Sequence, residues 1–194
     1  AVIAPSAKRR GRPVREHRIP FDDGPELDAD PLLAVASGPN ATASVTPLAP
    51  TLGSGVDGLG NGFAGPAGTM VVNSAPPDTT GAVGATQYVQ WVNTAFAVFN
   101  KSTKAAVYGP ADGKTLWAGF GGPCETRNDG DPVVQYDKLA NRWVVSQFSV
   151  PGGTAGYWQC IAVSTTSDAT GTWARYAFQY AQFNDFPKLA VWPD

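Results

Sequence analysis

Apolar and polar residues alternate along this chain in short bursts, and the bursts come in sets of four. From residue 76 onward the pattern has a period of two, which puts neighbouring side chains on opposite faces of a strand. It predicts strands over residues 80–84, 88–93 and 95–100, with a weaker fourth within AAVYG or TLWAGF. A second set is predicted over residues 132–137, 142–150, 158–166 and 173–180. Segments such as NKSTK, DKLAN, VPGGTAG and SDATGT lie between them and carry turn chemistry. No long stretch keeps apolar residues at helical spacing.

Each set opens in the same way. An Asp near a Pro precedes an apolar run at Asp78, Asp131 and Asp185, with gaps of 53 and 54 residues. A repeat of about 50 residues built from short strands is the mark of a β-propeller blade. The expected fold is all-β, the N-terminal part of a β-propeller with four-stranded antiparallel blades repeating every 54 residues or so. A β-sandwich is the alternative, because its strands are also closely and evenly spaced. Sandwich strands do not regenerate the same opening every four strands, which favours the propeller. Such rings close with about four to eight blades. Residues 55–194 are therefore expected to be the first two blades and the first strand of a third. The remainder of the same protein, its C-terminal blades in this chain or as a separate one, is the expected partner.

Upstream the pattern dissolves. Residues 1–54 read as an extended leader or strap, with a basic run, KRRGRPVREHR at 8–18, followed by an acidic run, DDGPELDAD at 22–30. A basic run beside an acidic one, without a nucleic-acid-binding fold around it, is read as a solvated tail and not a nucleic-acid site. The Asn40-Ala41-Thr42 triplet has the form of a glycosylation acceptor. Residues 55–72 are glycine-dense but lack the strand, helix start and Lys of a phosphate-cradling loop, so they read as a turn-rich lead-in.

Composition narrows the setting. Charged residues make up 15% of the chain, aromatics 11%, and there are 22 Gly and 17 Pro, a profile that suits a turn-rich all-β protein. It also suits an exported one. The N-terminus lacks the apolar core of a signal peptide, as a mature secreted chain beginning after cleavage would. No run approaches the length of a membrane-spanning helix. Two cysteines, Cys124 and Cys160, fall within one repeat. In an oxidising compartment they are expected to pair; two buried thiols are the other reading.

Several long stretches carry a resemblance: VDGLGNGF, APPDTTGAVGATQYVQWVN, LWAGFGGPCETRNDGDPVVQYDKLANRWVVSQF, CIAVSTTSDATGTW and FPKLAVWPD. On these, residues 55–194 resemble a group of uncharacterised secreted bacterial β-propeller proteins, similar in blade layout to sialidase-type and other extracellular propellers. The resemblance implies a fold more than an activity. SDATGTW at 167–173 is similar to a sialidase Asp-box but departs from the full S-x-D-x-G-x-T-W pattern.

Candidate chemistry rests on carboxylates. First strands of propeller blades line the central channel, so Asp78, Asp131 and Asp185 are expected around its mouth. There they either bind Ca²⁺ through hard oxygen ligands or cap turns. Asn128, Asp129 and Asp131 resemble half of a calcium loop whose closing Glu is missing. Asp131, Asp185 and Glu125 are the candidate catalytic groups of a hydrolase or lyase acting on a glycan, since glycoside hydrolysis uses paired carboxylates. The six Trp are expected to pack between blades more than to touch ligand. The only His, His17, and two Cys are too few for a transition-metal site, and no nucleotide or haem motif is present. Two functions stay open: recognition or cleavage of an extracellular polymer at the propeller mouth, and a non-catalytic, calcium-stabilised binding or adhesion scaffold.

Overall fold

The structure, a computed structural model, describes residues 53–151 and 153–192. The basic and acidic runs, His17 and the Asn40 triplet lie outside the described residues. The described chain forms ten strands in three antiparallel sheets. A small hairpin comes first, β1 (Ala64–Gly65) and β2 (Gly68–Thr69). The first large sheet runs β3 (Thr80–Val83), β4 (Gln87–Val92), β5 (Ala95–Asn100) and β6 (Ala106–Asp112) in sequence order. The second repeats that order with β7 (Val133–Asp137), β8 (Arg142–Ser149), β9 (Tyr157–Ser164) and β10 (Trp173–Tyr180). A 3-10 turn (Gly113–Trp117) and a one-turn helix α1 (Pro123–Thr126) lie on the connection between the two.

The strands form where β-branched and aromatic residues alternate, and turns fall where Asn accepts a left-handed backbone. Asn93 and Asn141, at φ 44 and 53, turn the chain between β4 and β5 and between β7 and β8. The predicted strands appear within a few residues of their expected ends. The β1–β2 hairpin was read only as lead-in and α1 as loop, and TLWAGF, one of the two places offered for the fourth strand of the first set, instead begins in the 3-10 turn. KLAVWPD at 188–194 was expected to be a first strand; its described residues, 188–192, form no ladder among the described residues.

The two large sheets meet along β3 and β7. Val89, Trp91, Phe96 and Val98 of the first face Val134, Trp143, Val145 and Ala162 of the second in one apolar cluster. Trp117 and Cys124, from the connection, complete that cluster, and α1 lies against β8 and β9. Cys124 is disulfide-bonded to Cys160 of β9, so the connection is tied covalently to the second sheet. The other face of the first sheet has its own cover: Leu59, Phe63 and Met70 pack on Val92, Ala97 and Phe99.

Polar contacts lock the sheets at their far end. Asp168, in the β9–β10 turn, accepts hydrogen bonds from Gln87 Nε2 of β4 (2.8 Å) and from the Thr170 amide (2.9 Å). Gln87 Oε1 accepts in turn from the Ala169 amide, and Trp143 Nε1 donates to the Ser167 carbonyl. The Asp-box-like SDATGTW stretch therefore serves as a bracket between the sheets.

Candidate functional site: a cleft built from three equivalent turns

Three left-handed residues mark one repeated turn. Asp78, Asp131 and Phe186 have φ of 39, 46 and 51, at spacings the repeat dictates. In the third unit the special position is therefore Phe186, one residue past Asp185. The Pro pattern carries the signal, since Asp131-Pro132 matches Phe186-Pro187. The three turns gather around a cleft of about 370 Å³. Its walls are the same three positions taken once from each unit: Asp78, Thr79 and Thr80; Asp131, Pro132 and Val133; Phe186, Pro187 and Lys188. Gln135 and Leu189 close it.

Of the six candidate residues, only Asp78 and Asp131 come together. Their carboxyl groups lie within hydrogen-bonding reach of each other. A carboxylate that close disfavours the ionised form of Asp131. Burial first, then the Asp78 charge, pushes the Asp131 carboxyl above the usual carboxylate range; the Phe186 amide, donating to it, pulls the other way, and Asp185 adds a smaller repulsion. Asp78 Oδ2 also accepts from Asn93 Nδ2 at 2.9 Å, which anchors it to the β4–β5 turn. Asn93 gives the same nitrogen to the Pro76 carbonyl, at 2.6 Å.

The other candidates are engaged elsewhere. Asp185 lines a neighbouring groove, with Asn184 and Tyr180. Asn128 ties the connection to the first sheet, accepting from the Lys114 amide (3.1 Å) and donating to the Thr94 carbonyl (2.9 Å). Asp129 is gripped by the Arg127 guanidinium at 2.7 and 2.9 Å and accepts from the Val150 amide. Glu125 takes the Gly119 and Gly121 amides at 2.8 and 2.6 Å, and those bonds hold its carboxyl below the usual range. It staples a glycine turn and does not face the cleft.

Among the described residues no three His, Cys, Asp or Glu side chains gather to hold a metal ion. The ligands expected of a calcium loop at 128–131 are thus distributed among protein partners.

The third turn brings a residue that the carboxylate pattern did not single out. Phe186 is 69% exposed at the lip of the cleft, and Lys188 Nζ sits 3.2 Å from its ring centroid. A bulky side chain at positive φ is an outlier, since only Gly, Asn and Asp take that backbone readily. No family model matches the chain, and comparison with curated proteins and with solved structures finds no match.

Proposed function

We propose that this chain is the opening part of an extracellular β-propeller whose mouth recognises an extracellular polymer, a glycan being the class its groups suit. Three observations favour the ring over the sandwich. Each sheet is a simple meander, the first strands of successive sheets lie side by side, and the turns that open the three units converge on one cleft. In a sandwich the chain exchanges strands between sheets, and none is exchanged among the described residues.

The observation that carries the functional reading is Phe186. It combines a strained backbone with an exposed ring, over a cleft that offers the Asp78 and Asp131 carboxyls, the Thr80 hydroxyl, the Gln135 amide and the Lys188 ammonium. Observed strain at an exposed, non-core position points toward function. An aromatic ring beside convergent polar groups suits a polyhydroxylated chain: the ring takes the apolar face of a sugar, and the polar groups take its hydroxyls. Recognition is better supported than cleavage. Glycosidase carboxyl pairs stand about 5–9.5 Å apart, whereas Asp78 and Asp131 are within hydrogen-bonding reach.

Secretion agrees with the disulfide, which persists in oxidising compartments. No helix among the described residues is long and apolar enough to cross a membrane. The test is affinity electrophoresis against a panel of soluble acidic and neutral polysaccharides. Retardation by at least one polymer is expected, weakened by Phe186→Ala and by Asp131→Leu. Retardation that is identical in wild type and both variants places recognition elsewhere. Release of new reducing ends from the retarding polymer would convert the reading to a hydrolase.

A further inference from the structure

The outer face of the second sheet is matched, position by position, to a face that the first sheet buries. Pairing register makes the correspondence: Val83 opposite Tyr88 matches Tyr136 opposite Trp143. Carried across the ladders, Trp91, Phe96 and Val98 of the first sheet occupy the positions of Ser146, Ile161 and Val163 of the second. In the first sheet these three are all but fully buried, because the second sheet covers them. In the second sheet Ile161 and Val163 are only half-buried, and Tyr176 and Phe178 on the same face are exposed. Phe183 covers part of it, packing on Phe148 and Tyr157 with ring centroids 5.5 and 5.4 Å apart. On the same face lies a groove of about 320 Å³, lined by Ser146, Ile161, Tyr180 and Leu189 among others.

We infer that this face is the docking surface for one occupant, a third four-stranded sheet of the same repeat whose first strand is formed by residues 188–191. The inference rests on the propeller reading and deepens it by naming the surface and its partner. Two observations commit the occupant. The face continues an interface already built, since the same strand positions join the first sheet to the second. The third turn, at Phe186, has already set the next unit in phase. The partner's contacting face is then expected to resemble the one the second sheet turns toward the first: Val134, Tyr136, Trp143, Val145 and Ala162, aliphatic with one indole. A second copy of the chain is a poorer fit, because the corresponding face of its first sheet is already covered by Leu59, Phe63 and Met70.

The test extends the full chain in phase. Leu189 corresponds to Val134 and to Gly81, so one version continues after Leu189 with residues 135–180 again, carrying Cys160→Val in the repeated stretch. The other continues with residues 82–112 again. Hydroxyl-radical footprinting reads Ile161, Tyr176 and Phe178, and far-ultraviolet circular dichroism reads added strand. Labelling of the three residues in their original copy is expected to fall several-fold in at least one extended chain, and Ile161→Asp in that copy is expected to restore labelling of its Tyr176 and Phe178. Unchanged labelling in both versions, whether the added residues fold or not, overturns the inference. So does a dimer of the unextended chain that protects the same residues, which would make a second copy the occupant. Protection of those residues by soluble polysaccharide alone overturns it as well. Polymer binding at the Phe186 cleft is measured separately, so loss of one reading leaves the other standing.

Discussion

Gln147 makes the sharpest test of how the two sheets are joined. It lies on the inner face of β8, fully buried, opposite Cys160 in the ladder and so beside the disulfide. Neither Oε1 nor Nε2 has a hydrogen-bond partner. Its amide packs against a glycine: a Cβ placed on Gly113 would come within 2.5 Å of Gln147 Oε1 and 2.1 Å of the Trp91 ring. The equivalent position in the first sheet is Val92, an apolar residue. A buried polar group without a partner costs about 1–3 kcal/mol, whereas an apolar group of the same shape does not carry that cost. Gln147→Met keeps the length and flexibility of the side chain and removes both stranded atoms. It is expected to stabilise the protein by about 1–3 kcal/mol, which for a chain of this size raises Tm by about 2–4 °C per kcal/mol. Urea unfolding followed by tryptophan fluorescence, with the disulfide intact, measures it; the m-value should not change, since the same surface is exposed. A Gln147→Met protein that is less stable by 1 kcal/mol or more, at the same m-value, would refute the reasoning, because the amide would then be bonded in solution.

Three further outcomes follow from the same geometry. Asp131 is held above its ordinary range in the folded protein, so the stability it contributes is present below that range and is lost as pH rises through the folded value. Asp131→Asn should flatten that decline, as thermal melts from pH 4 to 8 would show. Asp168 is held low by Gln87 and Thr170, so its contribution is present above the ordinary range and lost as pH falls through the folded value; Asp168→Asn should lower Tm at pH 7 and leave less acid sensitivity. Removing the Cys124–Cys160 bond, whose partners are 36 residues apart, by the double change to Ala should cost about 3–4 kcal/mol in chemical unfolding, and a loss below 1 kcal/mol would show that the connection is held by packing alone.

Most of the sheet was legible in the sequence because strands and turns announce themselves locally. Seven of the eight large strands were placed by alternation, and the fourth of the first set was left between AAVYG and TLWAGF, of which the ladders choose the first. The β1–β2 hairpin escaped because two-residue strands of Ala, Gly and Thr carry no alternation to read. The site was legible only in outline. Asp78 and Asp131 were singled out, but Asp185 was aligned on residue type where the backbone aligns Phe186. Asn128 and Asp129 looked like ligands, and Glu125 like a catalytic group, because a side-chain oxygen free for a cation or substrate and one capping a backbone turn have the same letter. Only the position of the donor amides, such as those of Gly119, Gly121 and Val150, distinguishes them.

Phe186 is where these arguments can be set against each other. Its left-handed backbone costs an ordinary L-residue about 1–2 kcal/mol, and its exposed contact with Lys188 returns about 0.5–1 kcal/mol. The balance is unfavourable by about 0–1.5 kcal/mol. Phe186→Asn relieves the backbone and forfeits the ring, so it is expected to unfold at higher urea while binding the polymer about tenfold more weakly, or about 1.4 kcal/mol. Neither of the simpler accounts produces that pair of results. If Phe186 only packed, its removal would destabilise the protein and leave binding alone. If it were an idle surface residue at a strained turn, the variant would gain stability and lose nothing. Parallel urea melts and affinity electrophoresis of the one variant separate the three, and a gain in stability with unchanged retardation would remove Phe186 from the recognition site.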